Sequence, residues 1–171
     1  MEWSTLAATG LGALVGVGST LLADRVRWRR DLVERTRQER REIYVSCLTR
    51  YRLAYEDMYA AAANHSPENT AAAGHVPGST GREAAVREAA VREAFRASGA
   101  DEVRESALIC APQELSDVIE GVYETLRDLV EVLASGEPPL DSPEFQERRL
   151  RHGQAVWAAR AAMRRDLGQR D

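Results

Sequence analysis

The side chains best suited to chemistry in this chain are three histidines and two cysteines. A metal centre needs three or four such ligands held at fixed geometry. His65 and His75 fall in NHSPENTAAAGHVPGSTG (64–81), a stretch of Gly, Pro and small polar residues that supplies neither a third ligand nor a rigid frame, so no metal site is expected there. Cys47 and Cys110 stand far apart with no C-x-x-C partner, which points to two reduced, buried thiols rather than a zinc site or a disulfide framework. His152, beside Gly153, borders an apolar stripe, and no carboxylate or nucleophile pairs with it by spacing. It therefore reads as a partly buried structural histidine. A phosphate loop, an H-E-x-x-H helix and a G-x-S-x-G elbow are all missing from the sequence. Neither an enzyme nor a cofactor is expected.

The second kind of chemistry open to the chain is anion binding. All 23 basic residues are arginine, and eight of them lie between Arg25 and Arg41. Two phosphate-bearing ligands could use such a run. Nucleic acid is disfavoured by the net charge of −4, by the interleaved Asp31, Glu34, Glu39 and Glu42, and by the lack of a recognition motif. Anionic lipid headgroups suit the four nearest arginines, Arg25, Arg27, Arg29 and Arg30, which follow directly on an uncharged run and would each gain about 1 kcal/mol near the surface. The remainder of the basic stretch, with pairs such as Asp31 and Arg35, reads as a solvated helix.

That uncharged run, Trp3 to Ala23, must position the arginines. As a helix rising 1.5 Å per residue it spans the ~30 Å hydrocarbon core of a bilayer. The basic cluster on its C-terminal side predicts a single-pass anchor in the cell membrane, with the N-terminus outside and the C-terminal body in the cytoplasm. Trp3 and Trp28 bracket the span as interfacial aromatics do. A cleaved signal peptide fits less well, because the basic residues follow the apolar stretch and no A-x-A site precedes Asp24. The span is modestly apolar, its Leu and Val residues contributing only about −2 to −4 kcal/mol to insertion. Thr5, Ala8, Gly12, Gly16, Ser19 and Ala23 fall on one face, with Leu11, Leu14, Val17 and Leu21 on the other. A small-residue face lets two backbones approach, so self-association through this helix is expected.

Beyond the anchor the sequence predicts an all-α chain: transmembrane helix 1–23, Arg-rich juxtamembrane helix 24–42, flexible linker 64–81, and a bundle of three to four helices from 43–63 and 82–171. Tyr44, Cys47, Leu48, Tyr51, Tyr55, Met58 and Tyr59 recur at three- and four-residue steps and form a core face. Thr80 and Glu83 match a capping box ahead of the REAAVREAAVREAF repeat, in which Val86, Val91 and Phe95 drift around the surface and only part can face a core. Ser98-Gly99 and Ala111-Pro112 break the chain, and a short helix over Val103 to Cys110 lies between them. Pro112 is expected in the first turn of the next helix. The strongest stripe is Leu115, Val118, Ile119, Val122, Leu126, Leu129 and Leu133, closed by Ser135-Gly136. Asp141-Ser142-Pro143-Glu144 then opens a last helix with Phe145, Val156, Ala159, Met163 and Leu167 on its apolar face.

With LADRVRWRRDLVERTRQERREIY after a Gly-rich span, the ICAPQEL break and the closing RAAMRRDLG, the chain resembles a group of uncharacterised actinobacterial membrane-anchored helical proteins. The resemblance implies the same architecture and no activity. The expected function is that of a membrane-tethered interaction or scaffold protein, with membrane lipid, a second copy of the chain or an unknown cytoplasmic protein as partner. A membrane-proximal nucleic-acid binder and a small-ligand sensor in the helical body are the alternatives.

Overall fold

A computed structural model of the chain describes the backbone of residues 3–65 and 80–169, and the side-chain surroundings of Arg25, of 27–65 and of 81–169. Trp3 and the small-residue face of Thr5, Ala8, Gly12, Gly16, Ser19 and Ala23 lie outside the described side chains, and most of the 64–81 linker lies outside the described backbone. Every described element is a helix: α1 (Trp3–Asn64), α2 (Thr80–Ala97), α3 (Ala100–Cys110), α4 (Gln113–Ser135) and α5 (Pro143–Asp166). Among the residues with described side chains, which begin at Arg25, no helix is long and apolar enough to cross a membrane, and the run Trp3–Ala23 lies outside them.

The chain divides into two units, 1–39 and 40–171, and the division falls within α1. In the first unit α1 is an uninterrupted helix, as expected of a stretch from Asp24 onward without Gly or Pro. All of its described side chains, Arg25 and those from Arg27 to Glu39, are exposed.

In the second unit α2 to α5 share one core with the part of α1 that follows Glu39. α4 is the central element, packed against α2, α3 and α5. That position explains why Val130, Val132 and Ala134, off the predicted stripe, are buried together with Leu126, Leu129 and Leu133. Of the stripe itself only Val118 stays half-buried. From α1 the core takes Tyr44, Cys47, Tyr51, Ala54 and Met58, the expected face. α5 adds Phe145, Ala159 and Met163, whereas Val156 and Leu167 are only half-buried. In α2 the drift of the repeat resolves into one buried residue, Val91, while Val86 remains exposed. Cys110 is half-buried rather than buried, since it ends α3 where the helix meets a turn.

Local signals set the helix ends. Gly99 and Gly136 adopt φ of 69° and 74°, values that a residue with a Cβ resists. At Gly136 a Cβ would also collide with the Arg87 guanidinium. Arg87 occupies that space because it donates to the carbonyls of Ala134, at 3.3 Å, and of Ser135, thereby satisfying groups left open at the end of α4. Pro112 is the cap residue before α4 rather than part of its first turn, with an extended ψ of 158°. Ser142 Oγ accepts from the Phe145 backbone N–H at 3.2 Å and Pro143 follows it, a pairing worth about 1 kcal/mol. The far end of α5 is tied to α1, where Asp166 accepts from the Tyr44 hydroxyl at 2.8 Å and lies 3.5 Å from Arg40.

Candidate functional site

His152 and Cys47 are held in states that suppress their chemistry. His152 is 7% exposed. Its Nδ1 lies 2.9 Å from Thr125 Oγ1, and that hydroxyl donates to the Val122 carbonyl at 2.8 Å. The hydroxyl proton being committed to Val122, Nδ1–H donates to Thr125 and the ring is neutral. Burial lowers the imidazole pKa to about 4, and the Tyr55 ring stacks at a tilt 6.1 Å away. Cys47 is fully buried and its thiol is pushed up to about 11 by desolvation, so it carries no thiolate at neutral pH. Among the described residues no three His, Cys, Asp or Glu side chains converge on a point that could hold a metal ion.

The burial of His152 has a consequence for acid stability. Its folded pKa lies below the 6.5 of an exposed imidazole, so between those values the unfolded chain binds the extra proton. Stability is therefore full above pH 6.5 and falls as the pH drops toward 4, by roughly 3 kcal/mol from this group. Thermal unfolding followed from pH 7 to pH 4 should show a shallower decline for His152→Gln than for the parent, and an unchanged slope would remove His152 as its source.

A polar cluster joins α1, α3 and α4 that spacing alone did not reveal. The Arg104 guanidinium forks onto Glu120, with Nε donating to Oε2 at 2.9 Å and Nη2 to Oε1, and lies 4.7 Å over the Tyr123 ring. The Tyr123 hydroxyl donates to Asp101, and burial together with that carboxylate raises its pKa to about 12. The Tyr51 ring tilts against Tyr123 at 6.3 Å. Its buried hydroxyl has no hydrogen bond and faces the Cys47 sulfur, a weak partner. The cluster cross-links three helices around aromatic rings, and its ionised members are spent on one another. It is suited to holding the body together.

In the first unit α1 presents a set of exposed cations. Arg25, Arg27, Arg29 and Arg30 are exposed, and none makes an ion pair among the described residues. Trp28 within this group is 67% exposed. A second exposed tryptophan, Trp157 on α5, escaped the sequence reading, which followed only the inward stripe of that helix. Its signal was present as Leu150 and Trp157 seven residues apart. Compared with protein-family models, curated proteins and solved structures, the chain matches none of them.

Proposed function

We propose that the chain is a membrane-tethered helical interaction protein: a single-pass anchor over 1–23, N-terminus outside, carrying a cytoplasmic helical body that recruits or scaffolds a partner. The observation that carries this reading is the uncharged run Trp3–Ala23 followed, after Asp24, by four exposed arginines and an exposed tryptophan. An apolar helix of that length with cations on one flank is oriented by them, and the free guanidiniums can engage lipid phosphates. The test is fractionation of the full-length chain: it should stay with membranes through alkaline carbonate and lose that retention when residues 2–23 are removed. Recovery in the carbonate supernatant would reject the anchor.

Self-association of the anchor is the finer reading, motivated by the face of Thr5, Ala8, Gly12, Gly16, Ser19 and Ala23. Gly12→Leu or Gly16→Leu places a bulky side chain between backbones that small residues would let close, while making the helix more apolar. Dimer yield in a membrane two-hybrid or crosslinking assay should fall several-fold with membrane retention intact. Equal yields would dismiss pairing through this face.

A further inference from the structure

Trp157 and Leu150 are 69% and 62% exposed. They lie one heptad apart on α5, roughly opposite the face that buries Phe145, His152, Ala159 and Met163. A bundle helix needs one apolar face, and α5 carries this second one facing water. Its surroundings are basic. The Arg160 guanidinium lies 5.1 Å over the Trp157 ring, and the exposed Arg165 makes no ion pair among the described residues.

The complementary surface is on the same chain. The outer side of α4 presents Glu114, Asp117, Glu124 and Asp128, all exposed, and of these Glu114, Glu124 and Asp128 make no ion pair among the described residues. In the middle of that acidic row stands Gly121, where an added Cβ would meet nothing within 4 Å. A glycine inside a helix weakens it relative to alanine. Here it leaves bare backbone between carboxylates, a shallow seat for a flat aromatic ring.

We propose that the two surfaces are halves of one contact between copies of this chain: Trp157 of one protomer seats over Gly121 of its partner, Leu150 packs beside it, and Arg160 and Arg165 face the Glu124 and Asp128 carboxylates. Each chain carries both halves, so the contact can close as a twofold pair. A buried tryptophan ringed by charge pairs is the composition of an interface hot spot. An anionic lipid surface is the other occupant that a basic, Trp-bearing face could take. A second copy is favoured because the matching negative row belongs to the chain itself. The contact is separate from pairing through the anchor.

The test uses the full-length chain in detergent micelles, carrying Gly12→Leu and Gly16→Leu so that the anchor contributes no pairing. A photoreactive benzophenone amino acid replaces Trp157, and isotope-labelled and unlabelled chains are mixed before irradiation. The expected product joins position 157 to residues within 114–128 of the other isotopic chain. An adduct elsewhere on the second copy, an adduct to lipid or detergent alone, or adducts confined to one chain would overturn the proposal. Gly121→Leu supplies the second arm: it fills the seat without an internal clash and removes a helix-weakening glycine, so the thermal stability of the body should hold or rise while adduct yield falls about tenfold or more. Undiminished yield in a folded Gly121→Leu chain would equally overturn it.

Discussion

Leu14→Arg is expected to convert the chain from one retained by membranes to one found largely in the soluble fraction. The run from Ser4 to Ala23 holds seven Leu and Val residues, whose insertion gain sums to about −2 to −4 kcal/mol before the cost of the glycines and hydroxyls. An arginine near the centre of a span costs about +2.5 to +3.5 kcal/mol, and the lost leucine forfeits roughly another 0.5. The two nearly cancel, and the cost of the four glycines and five hydroxyl residues then tips the balance against insertion, so an inserted helix becomes the minor species. A more apolar anchor would tolerate the same charge, and for that reason the marginal hydropathy makes the experiment decisive. Leu14→Val should stay membrane-bound, because it exchanges one apolar residue for another. Carbonate-resistant retention of the Arg variant would show that something other than this helix holds the protein to the membrane.

Leu129→Ala is expected to destabilise the body by about 3 kcal/mol, the ordinary outcome of truncating a fully buried leucine where neighbours relax only partly. Leu129 is 0% exposed and sits on the helix that touches α2, α3 and α5, so a cavity there is lined by several elements. That loss corresponds to a fall in the midpoint of thermal unfolding of roughly 10 °C, measurable by circular dichroism in micelles. Ile109→Ala, on the exposed face of α3, is the matched control and should change stability by no more than about 0.5 kcal/mol. A similar loss in both variants would mean that α3 buries the opposite face from the one described.

Helices α4 and α5 show how far the residues can be read without coordinates. The α4 stripe was legible because seven apolar residues at helical spacing admit one burial face, and its end was legible because Gly136 needs a positive φ. α5 was read only by half: its inward residues were recognised and its outward pair, Leu150 and Trp157, was passed over, since one helix can present two stripes and only packing selects between them. Spacing likewise placed the tyrosines of α1 on a core face. It could not pair Tyr44 with Asp166, which lies 122 positions away, or Arg104 with Glu120 in the presence of so many other acids.

By itself the amino-acid sequence determined the helical class, the breaks near Ser98-Gly99, Ala111-Pro112 and Ser135-Gly136, the cap at Ser142, and the uncharged run with its arginine flank. These depend on backbone conformations and hydropathy within a few turns, which neighbours in sequence dictate. Only the tertiary structure decided that Val91 and not Val86 is inside, that His152 is neutral against Thr125, that Arg104 is consumed by Glu120, and that Trp157 faces water. Burial and partner choice arise when distant segments remove one another from solvent, and no local pattern carries that information.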